Sequence, residues 1–325
     1  MGTIELAISK LHTGSYFPSW LEPRKRSEQA LVAVVAEAYV NRVSTRKVEA
    51  RVQALGIASL SKSEVSRLCQ SLDTQVQAFR TRRLDAVDPY LWLDARYEKV
   101  REDHRVVSME VIVADGVRAD GVREVLGLDV GLSEDVVLWR EFLQGLVARG
   151  LRGVKLAIRE VLVGASWQRC RVHLMRNLLV HVPKTAQVMV AATVRTIFEQ
   201  PDLTTARQQL HQIAKTLAER FSKVVNILEE AEDDILAHLA FPVAHRRQIA
   251  STNPLERLHK ELKRRSAVVG IFPNRPAVLR LLGAVLVEQT DEWLVGRHYF
   301  SDVSMRQVLD IAPADSTTQL GEVAA

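Results

Sequence analysis

A single carboxylate, Asp94, interrupts the apolar and aromatic stretch that runs from Tyr90 to Tyr97. The stretch predicts a buried strand, in which an unpaired carboxylate costs several kcal/mol. A chain retains such a group where it binds a metal ion or performs acid–base chemistry. The structural alternative is a satisfied carboxylate that pairs with Arg96 or Lys99.

Two further carboxylates, Glu256 and Glu261, lie in a strongly basic segment that predicts a helix from Pro254 to Arg265. Leucines at helical spacing give it a buried stripe, and we expect its cations to face outward: Arg257, Lys260, Lys263, Arg264 and Arg265. An acidic centre surrounded by cations is typical of metal-dependent enzymes that act on nucleic acid. A solvated basic face is the alternative, and Asn253 with Glu256 also has the spacing of a capping box.

The composition is compatible with these predictions. The chain has 325 residues, 47% of them apolar, a net charge of +5 and a pI near 9.3, so a polyanionic partner is permitted. The two cysteines, Cys69 and Cys170, form no disulfide framework and suit a reducing cytosol. No apolar run approaches the roughly 20 residues of a membrane span. We therefore expect a cytoplasmic protein without membrane contact.

The N-terminal part is predicted to be helical after an extended arm. Residues 1–26 form the arm, and residues 27–88 carry helical periodicity with a turn at Gly56. A helix, a glycine-containing turn and a second helix that begins near Ser61 resemble a helix-turn-helix. Its candidate DNA contacts are Arg46, Lys47, Lys62 and Arg67. Any helical hairpin is the alternative.

The periodicity then changes to that of strands. A three-strand antiparallel meander is predicted over Tyr90–Val100, Val106–Val113 and Arg123–Val130, with turns at 102–104 and 115–116. An amphipathic helix over Asp135–Arg149 follows, and strands followed by a helix indicate an α/β class. Val154 then begins a strand that runs without a turn into Ala157–Leu162, which has helical character.

The remainder of the chain is predicted to be almost wholly helical. Its helices are expected over Leu174–Val182, Val188–Phe198, Thr204–Arg220, Ser222–Leu239, Pro254–Arg265 and Pro276–Glu288. The residues from 312 onward lack periodicity and predict a disordered end to the C-terminal tail.

Taken together, the motifs resemble those of the mutator-type transposase family of bacterial insertion sequences. The resemblance covers most of the chain and rests on several ordered motifs: Gly14-Ser15-Tyr16-Phe17-Pro18, Leu93-Asp94-Ala95, Val125-Leu126-Gly127, Trp167-Gln168-Arg169-Cys170-Arg171-Val172-His173, Asn253-Pro254-Leu255-Glu256-Arg257 and Gly270-Ile271-Phe272-Pro273-Asn274.

The family implies a ribonuclease H-like catalytic domain with an all-helical insertion. Its first part would span residues 89–173, the insertion 174–250, the last catalytic helices 251–300 and the C-terminal tail 301–325. The implied activity is DNA transposition by an Asp–Asp–Glu triad holding two Mg²⁺ or Mn²⁺ ions, which cut and transfer a DNA strand. The implied partners are double-stranded DNA, as terminal inverted repeats and target, and further copies of the chain in a homodimer or higher oligomer.

By the same resemblance, Asp94 is the first catalytic acid and metal ligand and Glu256 the last, with Glu261 as the second choice. Further DNA contacts are implied around the Cys-x-x-His motif: Trp167, Arg169, Cys170, Arg171, His173 and Arg176. A core tryptophan, a packed cysteine and a hydrogen-bonded histidine are the alternatives. Zinc is excluded because no second ligand pair has suitable spacing.

The second catalytic aspartate is missing. In the family it ends a strand, and here the matching residues would fall between Val154 and Lys155, where the sequence resumes without them. We infer an internal deletion and expect Glu160 to lie on the following helix, unable to replace the lost acid. An N-terminal DNA-binding segment is also expected to be missing. We expect a transposase whose catalysis is impaired. The alternatives are an active enzyme with a replacement acid near 154–160, a non-catalytic DNA-binding remnant or dominant-negative subunit, and an unstable pseudogene product.

Overall fold

The computed structural model describes residues 71–132, 136–159, 168–267 and 269–310. The predicted arm, the helix-turn-helix-like segment with its four cations, Trp167, Glu160 and the residues from 312 onward lie outside this part. The described elements from Asp73 onward belong to one compact unit.

A five-stranded mixed sheet is the centre of this unit. After helix α1 (Ser71–Thr81), its strands are β1 (Tyr90–Glu102), β2 (Arg105–Val117), β3 (Arg123–Leu132), β4 (Leu156–Arg159) and β5 (Gln168–Arg169). Their order is β3-β2-β1-β4-β5. β1 pairs antiparallel with β2 and β2 with β3, whereas β4 runs parallel to both β1 and β5. The predicted meander and the α/β class are therefore confirmed.

The second predicted turn of the meander is wrong. Asp115 and Gly116 lie inside β2, and the chain turns at 118–122 instead. The polar residue is tolerated within the strand because Arg123 Nε donates to the buried Asp115 carboxylate at 2.6 Å. Gly116 is needed for close packing, since an added Cβ would lie 2.7 Å from Leu126 Cδ1.

The predicted helical character of Ala157–Leu162 is also wrong over its described part. Leu156–Arg159 forms β4, which pairs in register with Tyr90–Leu93 of β1. The side chains of Ala157 and Ile158 are buried. Burial on both faces of a parallel strand overrides the local helical preference of this short run.

Alternation along β1 divides its side chains between two layers. Leu91 and Leu93 face helix α2 (Val136–Ala148) and share its apolar core, which includes Ile112, Leu126, Leu143 and Leu146. Tyr90 and Trp92 point to the opposite face, where the Trp92 indole donates to the Ser251 carbonyl. Asp94 continues this second face by its period of two.

A set of helices follows β5 and builds a core of its own. These helices are α3 (Arg171–Val180), α4 (Lys184–Arg195), α5 (Leu203–Leu217), α6 (Ser222–Glu230), α7 (Glu232–Leu236) and α8 (Val243–Ile249), with 3₁₀ turns at Thr196–Glu199 and Ala237–Ala240. Their shared apolar cluster includes Leu178, Val194, Leu210, Val224 and Ile235. The predicted single helix Ser222–Leu239 is broken at Ala231, whose backbone leaves the helical region.

The chain ends its described part with α9 (Asn253–Ser266), α10 (Arg275–Val295) and α11 (Asp302–Leu309). The predicted capping box is wrong by one residue, because the N-cap of α9 is Thr252 and its side chain makes no capping bond. The tail prediction missed α11, which Ser301 caps through the Ser304 amide and which buries Met305 and Val308. Among the described residues, no helix is long and apolar enough to cross a bilayer.

Candidate active site and nucleic-acid interface

Asp94 lies on β1 immediately after the last pair that joins this strand to β4, Leu93 with Arg159. The residue is only 6% exposed. One carboxylate oxygen accepts the Ala95 amide at 2.9 Å, and the other lies 3.4 Å from Nδ1 of His259 on α9. Arg96, considered as a partner from the sequence, pairs with Glu98 at 2.6 Å.

His259 is a site residue that sequence reasoning missed. Burial, with the nearby Arg96 guanidinium, lowers its pKa to about 4, so the ring is neutral at pH 7. A neutral ring that carries its proton on Nδ1 donates to the Asp94 carboxylate and fixes its direction. The available signal was its position three residues after Glu256, which places both on one helix face.

Glu256 lies in the first turn of α9 and is half-buried. It lines an open groove of about 430 Å³, here called the Glu256 groove, with Arg96, Tyr97, Arg176, His259, Lys260 and Lys263. His259 contacts Asp94 and lines this groove one helix turn after Glu256. The contact therefore brings α9, which carries Glu256, against the part of β1 that carries Asp94. Cations outnumber the single carboxylate among the lining side chains, so the groove suits a phosphate.

Glu261, the second choice for the last acid, is engaged elsewhere. Arg264 and Arg265 both donate to its carboxylate, the latter through Nε at 2.6 Å. The hydrogen bond from Arg264, opposed by burial and aided by Arg265, lowers the pKa of Glu261 to about 2. Arg265 is also buried, at 8% exposure, so the expectation that it faces outward is wrong.

The Cys170–His173 motif joins two helix starts. Cys170 is fully buried, and Thr252 donates to its sulfur from Oγ1 at 3.4 Å and from its amide at 3.3 Å. Burial acts to raise the pKa of the Cys170 thiol, but hydrogen bonds from His173 and Thr252 bring it below its usual value. Because Thr252 is the N-cap of α9, these contacts hold α3 against the helix that carries Glu256.

The remaining predicted contacts are distributed over two surfaces. Arg257, Lys260, Lys263 and Arg264 are exposed on α9, and Arg169 on β5 is half-buried. Arg171 and Arg176 line a second groove, also of about 430 Å³, with Val172, Met175, Leu179, Arg195, Phe198 and Glu199. We call it the Phe198 groove, and sequence reasoning missed its Arg195 and Phe198. Trp167 and the four N-terminal cations lie outside the described residues.

The donor set does not complete a two-metal site within the part of the chain that the structure describes. No group of three or more His, Cys, Asp or Glu side chains is placed there to hold a metal ion. β4 supplies no carboxylate between Leu156 and Arg159. The three aspartates of β2, β3 and the turn between them are paired with arginines: Asp115 with Arg123, Asp120 with Arg118 and Asp129 with Arg80.

Comparison with a family model and with known proteins points to the same family. Residues 1–296 match the family described as "Transposase, Mutator family". The chain is 47% identical over 311 residues to the transposase for insertion sequence element IS1081 of Mycobacterium tuberculosis, covering 91% of this chain and 75% of that protein.

Two further relatives extend the comparison. The transposase for IS406 of Burkholderia multivorans is 40% identical, covering 92% of this chain and 81% of that protein. The transposase for IS256 in Tn4001 of Staphylococcus aureus is 36% identical, with 90% and 79% covered. The family match covers nearly the whole sequence, and these relatives are 36–47% identical. This chain therefore belongs to the mutator family of transposases.

Proposed function

We propose that this chain is a DNA transposase of an insertion sequence that binds terminal inverted repeats and descends from an Mg²⁺-dependent strand-transfer enzyme. The observation that carries the proposal is the position of His259, which lies 3.4 Å from Asp94 and lines a cationic groove together with Glu256. The names of the relatives, all transposases for insertion sequences, support it.

The strand arrangement supports a ribonuclease H-like fold for the catalytic domain. Three antiparallel strands followed by two parallel ones, in the order β3-β2-β1-β4-β5, place the end of β4 beside Asp94 on the central strand. Residues at the ends of adjacent parallel strands meet at one sheet edge, which is where a shared metal would be held. The helical segment between β5 and α9 then corresponds to the insertion.

The cations of the Glu256 groove would hold the DNA backbone. Arg176, Lys260 and Lys263 line the groove beside the acid, and contacts of this kind fix the register of a duplex without reading its sequence. His259 would keep Asp94 directed into the site. Bound Mg²⁺ or Mn²⁺ would supply charge stabilisation at the phosphodiester, but two carboxylates leave such a pair of ions under-coordinated.

We further propose that this copy cuts DNA poorly or not at all. The sequence lacks the family's second aspartate, and β4 contributes no carboxylate among its described residues. The next residue of the sequence, Glu160, lies outside the described part. Loss of one charged ligand from a phosphoryl-transfer site removes several orders of magnitude in rate.

The test is a cleavage assay on labelled duplexes taken from the DNA that flanks the gene, with Mg²⁺ or Mn²⁺. We expect binding with little or no cleavage. Robust cleavage that is abolished by Glu256→Gln but kept by Glu261→Gln would refute the impairment while supporting the acid assignment. Loss of that cleavage in Glu160→Gln would identify a replacement acid. Failure to bind the flanking DNA would refute the transposase assignment itself.

A second candidate is a non-catalytic DNA-binding subunit that poisons active assemblies. The intact cationic grooves beside an incomplete set of acids favour it. We expect the chain to form homodimers or higher oligomers on paired DNA ends in the cytoplasm, associated with the nucleoid. Titration into a reaction of an active relative should lower that relative's cleavage in proportion to the mixed assemblies, and light scattering should show the added subunits.

A further inference from the structure

We propose that the Phe198 groove binds one nucleotide of single-stranded DNA, with its base against Phe198 and its phosphates on Arg171, Arg176 and Arg195. This inference deepens the proposed function, because it assigns a path for the unpaired strand at a DNA end. Single-strand sites combine a positively charged groove with an aromatic platform on which any base can stack. Both features occur together here.

The charge of the groove is available to a ligand. Arg171, Arg176 and Arg195 stand against the single carboxylate of Glu199, and none of the three forms a salt bridge with another described residue. Arg207 in the same helical region behaves differently, since it pairs with Glu232 at 3.2 Å and with Asp233 at 2.5 Å. Within the described part of the chain, nothing neutralises these arginines except Glu199, so their charge is available to an external anion.

The apolar floor of the groove is firmly supported. Phe198 lies in the 3₁₀ turn that follows α4 and is half-buried against the helical core, together with Met175 and Leu179 of α3. The Arg171 guanidinium lies 5.5 Å from the centre of the Phe198 ring. This distance leaves no room for a base between the two groups, so an entering base would displace the guanidinium from the Phe198 face and leave it to bind the phosphate.

The Phe198 groove adjoins the candidate active site, and this position favours single-stranded DNA as its ligand. Arg176 lines both the Phe198 groove and the Glu256 groove, so a strand that leaves the acids meets a second cationic surface at once. A groove of about 430 Å³ has the size of a small-ligand pocket and accepts one nucleotide. The bases of a duplex are stacked inside the helix, and only an unpaired strand presents a base face to Phe198.

The experiment measures binding in EDTA, so that it does not depend on cleavage. Fluorescence anisotropy would compare a labelled single-stranded oligonucleotide with the blunt duplex of the same sequence. Phe198→Leu keeps apolar volume but removes the aromatic face, and we expect roughly tenfold weaker single-strand binding with duplex binding unchanged within about twofold. Arg195→Ala should weaken single-strand binding and reduce its salt slope by about 0.7, whereas Phe198→Leu should leave that slope unaltered.

Arg220→Ala is the matched control. Arg220 lies over the Phe221 ring at 5.6 Å in the same helical region, yet it does not line the groove, so its loss should affect neither probe. Equal weakening of both probes by the groove variants, or no weakening, would overturn the inference. Wild-type protein that fails to bind flanking duplex DNA would instead contradict the proposed function, and this outcome is distinct. Unfolding curves of each variant exclude loss of the fold as the cause.

Discussion

Replacement of Asp88 by Asn should stabilise this protein above neutral pH. Asp88 lies just before β1 and is completely buried. Its two carboxylate oxygens have no hydrogen-bond partner among the described residues. Burial, reinforced by Glu124 and opposed by Arg118 and Arg82, raises the pKa of Asp88 to about 7.

The sign and size follow from proton linkage. A carboxyl whose pKa is about 7 in the folded state and 3.8 otherwise holds an extra proton when folded, so stability falls as pH rises between these values. At 1.36 kcal/mol per pKa unit, the whole effect is about 4 kcal/mol, of which about 3 kcal/mol is lost between pH 5 and pH 8. The amide of the Asp88→Asn variant cannot ionise, so the variant should lack this loss.

The assay is urea unfolding of wild type and Asp88→Asn from pH 5 to pH 8, with the difference between the two proteins as the readout. Subtraction removes other titrations, such as that of buried His238, whose pKa of about 4 gives stability the opposite pH dependence. Asp85→Asn is the control, because Asp85 is exposed beside Arg83 and its loss should leave the slope intact. Parallel pH curves for wild type and Asp88→Asn would refute the reasoning.

Three further substitutions test the packing around the sheet by the same unfolding measurement. Asp115→Ala should cost about 3–5 kcal/mol, because it leaves the largely buried Arg123 guanidinium without its partner; a loss below about 1 kcal/mol would contradict this. Gly283→Ala should cost about 1–3 kcal/mol, since the new Cβ would overlap Val76 Cγ1. Gly145→Ala on α2 meets nothing within 4 Å and should stabilise the fold by about 0.5–1 kcal/mol; equal effects at the two glycines would refute the packing argument.

The sheet could be anticipated where local pattern and burial agree. The three antiparallel strands alternate or run apolar, and the polar residues 102–104 between the first two made the first hairpin turn visible in the sequence. The structure confirms this turn, in which Asp103 and His104 take positive φ. β4 was anticipated only in part: a strand was predicted from Val154, but its continuation over Ala157–Arg159 was predicted to be helical, because so few residues carry no usable periodicity and the strand is specified by its neighbours β1 and β5. The turn predicted at Asp115 was wrong for a related reason. Its partner Arg123 follows the turn at 118–122, so the local sequence did not show that this carboxylate would be paired inside a strand.

The candidate site was likewise predictable from the sequence only in part. Asp94 stands out because a carboxylate in an apolar strand needs an explanation, and Glu256 because its motif does. The interaction that joins them is a contact between β1 and α9, two elements far apart in the sequence: Arg96 on β1 donates to the His259 carbonyl across a separation of 163 residues. Long-range pairing of this kind leaves no periodic signal, and Phe198 in a 3₁₀ turn leaves none either.

The proposed loss of a catalytic acid need not disturb this fold, and this would separate binding from cleavage. The packing of β4 comes from Leu156, Ala157 and Ile158, which remain buried beside β1. A metal-binding carboxylate without its ion is a cost to the folded state, so its removal relieves strain there while it disables the chemistry. Apart from Arg96 on β1, the cations of the two grooves lie on α3, α4 and α9. α3 and α4 pack in the helical core, and α9 buries Leu255, Leu258 and Leu262. DNA affinity in this chain should therefore outlast cleavage, because the cations that would hold the DNA backbone are different side chains from the carboxylates that cleavage needs.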